Sequence, residues 1–200
     1  MKVSKGVRIT LLVVLLLILD QVVKILVKTN MTLGQSIHVF GDWFQILFIE
    51  NNGMAFGLQF GDGFGKLALS LCRLVLIVLI IVYLRKILKR PDTPNGVLVG
   101  LAAILCGAIG NMIDSMFYGI IFDYAPFLYG KVVDMLYFPL IDTTLPAGFP
   151  IWGGRHIIFF RPIFNIADSC ITCGAIYLLL FQWKFFARND KGKEPEKVME

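Results

Sequence analysis

Four uninterrupted apolar segments constrain this chain more than anything else in it. They cover about residues 9–27, 67–84, 97–117 and 166–186. Each is close to the roughly 20 residues of helix that cross a bilayer. In lipid, every backbone N–H and C=O must be satisfied within the segment, so such runs fold as helices. Only 16% of the 200 residues are charged, against roughly 25% in soluble domains, and the mean hydropathy is +0.75. The expected class is an all-α membrane protein, a four-transmembrane-helix bundle with one membrane domain over residues 1–187. A charged tail, 188–200, follows it. Lys2, Lys5 and Arg8 precede the first segment as they would a secretory signal. No small-x-small cleavage site follows, and the apolar run continues past Asp20, so the segment reads as a permanent span.

The net charge of +5 would suit nucleic acid, but its distribution argues against such a partner. Twelve of the 19 Lys and Arg residues fall before span 1, between spans 2 and 3, or from Lys184 onward. By the positive-inside rule these regions and both termini are cytoplasmic, and loops of about 28–66 and 118–165 face outward. The turn from Arg90 to Gly96 is short and rich in breakers, which makes spans 2 and 3 antiparallel neighbours. In the first outer loop, the aromatic and β-branched stretch 38–49 predicts short strands, with Trp43, Phe44 and Phe48 at headgroup level. In the second, long outer loop, Pro139, Pro146, Pro150 and Pro162 with Gly148, Gly153 and Gly154 limit regular structure to brief pieces.

Cys72, Cys106, Cys170 and Cys173 all lie in apolar sequence and read as packing residues. His38 and His156 are too far apart for a local metal motif, so neither a metal site nor a cofactor is expected. The acids are more informative. Asp20 lies about 11 residues into span 1, roughly 17 Å along its axis, towards the outer surface. Lys24 follows on the same helix face. Asp114 is near the outer end of span 3, Asp134 is in the second outer loop, and Asp168 opens span 4. Four carboxylates from distant parts of the chain thus share one level. Charge at such a boundary is disfavoured without a partner or a task, which points to acid–base hydrolysis at a membrane surface.

Bland alternatives exist for each acid. Asp20 with Lys24 reads as a buried pair, and Asp114 as a brace beside the glycine face of Gly107 and Gly110. Asp168 has the reading of a helix cap. Asp134 has the least to gain from packing. Arg73, near the middle of span 2, is expected to face inward to a polar partner.

Five ordered motifs carry a family resemblance: Asp20-Gln21-x-x-Lys24, Asn51-Asn-Gly53-Met-Ala55-Phe56-Gly57, Gly110-Asn111-x-x-Asp114, Val132-Val133-Asp134 and Phe164-Asn165-x-Ala167-Asp168. In order, topology and extent the chain resembles the bacterial lipoprotein signal peptidases, or signal peptidase II. The resemblance implies an aspartic endopeptidase of the cytoplasmic membrane, acting at its outer face on diacylglyceryl-modified prolipoproteins. It would cut just before the lipidated cysteine. Asp134 and Asp168 would be the catalytic pair. Asp20, Lys24, Asn51, Gly53, Asn111, Asp114 and Asn165 would bind substrate or brace the site. The resemblance further implies a small β-rich extracytoplasmic cradle, membrane lipid as surroundings and globomycin-type inhibitors, with no oligomer implied. Two departures stand out. The position after Asp114, often arginine in the family, is Ser115, with Arg155 or Arg161 as candidate replacements. The stretch 136–161 is also long.

Three rival classes fit less well. A metal-dependent transferase would pack its acids into one motif, whereas these are dispersed. A transporter would place acids along a path across the membrane, yet spans 2 to 4 have none near the cytoplasmic side. A non-catalytic scaffold is the third.

Overall fold

The computed structural model describes residues 3–52, 64–139, 141–144, 146–148, 150, 153–159 and 162–191. Gly53 to Gly57 and Arg161 lie outside the described residues. The first helix, α1 (Lys5–Asn30), starts where the Ser4 hydroxyl accepts from the Val7 N–H, satisfying one orphan donor of the first turn. Strands β1 (Ser36–Phe40) and β2 (Phe44–Asn51) follow as an antiparallel hairpin, as the aromatic and β-branched pattern predicts. Then come α2 (Phe64–Leu88) and α3 (Asn95–Ile113). Pro91 and Pro94 interrupt helix continuation between them, and the Thr93 hydroxyl closes the end of α2 on the Ile87 carbonyl at 2.7 Å.

Helix α3 runs straight into a π-turn, Asp114–Tyr118, and a last short turn, α4 (Gly119–Ile121). Strand β3 (Val132–Tyr137) pairs with β2 on one side and with the two-residue β6 (Ile163–Phe164) on the other. The resulting sheet has the order β1-β2-β3-β6. Between β3 and β6, strands β4 (Ile141–Thr144) and β5 (His156–Phe159) form a separate two-stranded sheet. Helices α5 (Ile166–Phe181) and α6 (Trp183–Lys191) complete the chain.

Among the described residues, three helical stretches are long and apolar enough to cross a membrane: Lys5–Asn30, Gly65–Leu88 and Asn95–Ile121. The expected fourth span, 166–186, is interrupted. Helix α5 stops at Phe181 after 16 residues, where the backbone at Gln182 leaves the helix. Exposed Leu15, Leu79 and Leu179 show that α1, α2 and α5 carry apolar side chains outward, the pattern of helices solvated by lipid.

Helix α3 is the hub: much of its apolar surface is buried, whereas α1 keeps few buried residues, Asp20, Lys24 and Val27. Ile77, Leu84 and Ile87 of α2 meet Leu98, Leu101 and Leu105 of α3 and Leu178 of α5 in one core. A second core joins Val27 of α1 to Phe48, Tyr118, Val133 and Met135, which ties the sheet to the helices. Phe48 is therefore buried in this core, 4% exposed, whereas Trp43 is exposed as expected. Phe48 thus departs from the headgroup-level expectation, because it packs with Val27, Tyr118, Val133 and Met135.

Helices α3 and α5 approach closely at Gly107, where a β-carbon would run into the Ala167 carbonyl. Gly107→Val is therefore expected to push α5 away and lower the melting temperature in detergent, overpacking of this kind costing about 1–3 kcal/mol. A melting temperature equal to that of the unmodified protein would refute the tight packing.

Candidate active site

Lys24 is fully buried, and its ammonium makes three contacts. Asp20, one turn earlier, and Asp114, from the π-turn, each lie 2.9 Å away. The third donor goes to Asn111 Oδ1 at 3.1 Å. An ammonium has three protons, so this lysine is saturated. Gln21 adds bonds to Asp114 Oδ1 at 2.9 Å, Asp20 Oδ2 at 3.1 Å and the Gly110 carbonyl, and accepts from the Tyr118 hydroxyl.

Both acids reach onward. Asp20 Oδ1 accepts from the Ala167 N–H at 2.9 Å, so α1 caps the first turn of α5 one residue before Asp168. Asp114 Oδ2 accepts from the Val133 N–H at 3.3 Å, one residue before Asp134. The bland readings of both acids as braces agree with these contacts. The π-turn frees backbone carbonyls, and the following loop satisfies them: the Gly130 N–H donates to Ser115 O and the Leu128 N–H to Met116 O.

Asn165 joins the remaining acids. It is the N-cap of α5, with its Oδ1 accepting from the Asp168 N–H at 2.8 Å. Asp168 closes the capping box by accepting from the Asn165 N–H at 3.4 Å. The cap is thus Asn165 and not Asp168, which sits at the third helical position. The Asn165 amide donates to Asp134 Oδ1 at 2.8 Å and to Asn111 Oδ1 at 3.1 Å. Asn111 donates to Asp168 Oδ1 at 2.7 Å, and Asn51 to Asp134 Oδ2 at 3.1 Å. Pairing of β3 with β6, Leu136 opposite Phe164 and Tyr137 opposite Ile163, brings these pieces of chain side by side.

Eight of the nine site residues read from the sequence therefore occupy one hydrogen-bonded network, and the ninth, Gly53, lies outside the described residues. Asp134 and Asp168 differ from the other two acids. Among the described residues, neither makes an ion pair; both are held by neutral amides. Burial, and then the facing Asp168 carboxylate, push Asp134 up to about 7, against the opposing bonds from Asn51 and Asn165. An acid raised this far can keep its proton near neutral pH, the state a general acid needs.

Sequence reasoning missed Gln21 and Tyr118 as site residues. The signal for Gln21 was available: a lone amide in an apolar run, three positions before Lys24 on the same face. Arg73 does face inward, donating to Ser115 Oγ at 3.4 Å. Arg155, one suggested substitute at this spot, is exposed on the β4–β5 sheet side.

The family model described as Signal peptidase (SPase) II matches residues 12–184. A protein of Porphyromonas gingivalis named lipoprotein signal peptidase is 46% identical over 194 residues, covering 90% of this chain and 84% of its own length. A protein of the same name from Amoebophilus asiaticus is 40% identical, with 83% of this chain and 73% of the relative covered. A solved structure described as a bacterial membrane enzyme aligns with a TM-score of 0.61 at 25% identity, over 96% of this chain and 94% of that one.

Proposed function

Since the chain belongs to the signal peptidase II family, we propose that it is a membrane aspartic endopeptidase that removes signal peptides from diacylglyceryl-modified prolipoproteins. The observation that carries the reading is Asn165, whose one amide binds Asp134 while its oxygen caps Asp168. One residue thus holds both acids, Asp134 through its side-chain amide and the Asp168 carboxylate through its backbone N–H, and two carboxylates placed this way are set to share a proton. The ionised member takes a proton from water as the water attacks the scissile carbonyl. The protonated member polarises that carbonyl and then gives its proton to the leaving amine. The two roles belong to the pair, and no starting base is assigned.

In this reading α5, continued by α6, is the fourth span, and the termini lie on the cytoplasmic side of the cytoplasmic membrane. The four-stranded sheet is the extracytoplasmic cradle. The acyl chains of the substrate stay in lipid while its peptide lies against the dyad, so remote binding fixes the reacting bond. Globomycin-type peptides would occupy the same place.

The test is cleavage by the purified protein in detergent or liposomes, read by mass spectrometry. The expected product begins at the lipidated cysteine, an unlipidated precursor stays intact, and excess chelator leaves turnover unchanged. Cleavage elsewhere, or equal cleavage of both precursors, would overturn the proposal.

A further inference from the structure

Arg73 occupies the middle of α2 between Leu71-Cys72 and Leu74-Val75. A guanidinium keeps its charge at any working pH, and in an apolar span it must be held by protein. Its Nη1 donates to Ser115 Oγ, and Ser115 donates in turn to the Asn111 carbonyl at 3.0 Å. The hydroxyl proton is thus committed, leaving the lone pairs of the serine for the guanidinium. Ser115 is the second residue of the π-turn, directly after Asp114, and Asn111 carries the bond to Asp168. The charge of Arg73 acts on Asp168, Asp114 and Asp134.

Charge balance gives this placement a purpose. Lys24 is shared between Asp20 and Asp114. If the dyad carries one proton, Asp20, Asp114 and the dyad together bear three negative charges, and Lys24 offsets one of them. Burial and mutual repulsion would then favour a second proton on the dyad, which removes the base.

We propose that Arg73 is a positioning residue whose guanidinium, anchored on Ser115, keeps the Asp134–Asp168 pair singly protonated at the working pH. The proposal rests on the dyad reading above. The other charges facing the group are Asp20 and Lys24 from α1, Asp114 from the π-turn and Lys66 from α2. Glu50 of β2 and Lys131 act in turn on the charge of Lys66. All of these are common to the unmodified protein and the variants, so a difference between them isolates Arg73.

The test is the pH profile of kcat/KM on a lipidated precursor for the unmodified protein, Arg73→Met, Arg73→Lys and the double variant R73M/S115R. Arg73→Met is expected to move the acid limb up by about one pH unit, the low end of what loss of a nearby opposite charge does. Arg73→Lys keeps the original limb, and the double variant, which returns a guanidinium from the π-turn, restores it. A limb unmoved in Arg73→Met, or moved equally in Arg73→Lys, overturns the proposal, since a purely structural arginine lowers activity at all pH values alike. If Arg73→Met does not fold, the double variant decides: folded with the original limb it supports the proposal, folded with a raised limb it refutes it. Asp134→Asn and Asp168→Asn run alongside. Residual cleavage in those would sink the dyad reading itself, whereas inactive aspartate variants with an unmoved Arg73→Met limb sink this inference alone.

Discussion

Asp134→Asn and Asp168→Asn are each expected to reduce cleavage of a lipidated precursor by roughly 10³-fold or more, with the protein still folded. Each substitution leaves a side chain of nearly the same shape that can neither take the proton from water nor return it. On the proposed mechanism the two acids act as one unit, so the double variant should be little worse than either single one. A pair of independent contributors would instead multiply their losses. Turnover at the unmodified rate in either single variant would end the assignment.

Stability separates this loss from misfolding. Asp134 is held near 7 in the fold, against an ordinary carboxylate value of about 4. Between those values the folded protein keeps a proton that the unfolded chain has released. Stability from this group is therefore full below about pH 4, falls as pH rises, and levels off above about 7. Asp134→Asn lacks that slope. Its melting temperature relative to the unmodified protein should rise between pH 5 and pH 8, while its activity stays negligible throughout. A difference that is flat with pH would mean that Asp134 is not held protonated.

The second large effect falls on folding. Lys24→Met removes the cation between two carboxylates that are 0–1% exposed. Breaking a buried pair from one side costs about 3–5 kcal/mol, because the charge left behind has no solvent to stabilise it. Here two acids are left, so most of the folded protein should disappear from the membrane fraction, and any remainder should melt far lower. Adding Asp114→Asn to Lys24→Met should recover part of the loss by removing one stranded charge. If Lys24→Met melts with the unmodified protein, the ion triad has no role in holding α1, α3 and α5 together.

The helices were legible in the chain because lipid solvation leaves a strong signal in sequence: long apolar runs and an uneven count of Lys and Arg. The common level of the four acids was legible for the same reason, since a helix converts residue number into depth. Contacts between runs were not. Nothing local indicates that Asp20 caps the first turn of α5 across 147 positions, or that Val133 donates to Asp114. The π-turn was invisible, because Asp114-Ser-Met-Phe-Tyr118 has no composition that distinguishes it from an α-turn. The end of α5 at Phe181 was missed because Trp183, Phe185 and Phe186 keep the stretch apolar after Gln182 has broken the helix. The proposed dyad rests on motif order. The network then gave a physical reason to separate Asp134 and Asp168 from the acids that Lys24 neutralises.

The ladder between β3 and β6 is only two residue pairs long, yet it closes the chain on itself directly beside the dyad. Everything from Phe138 to Pro162 is a detour that leaves and returns through this clasp. Loop length enters the closure entropy only logarithmically, so lengthening the detour adds little strain at its base. The clasp makes the segment an insertion port. A longer or shorter insert can be accommodated there while β3 and β6 keep their register.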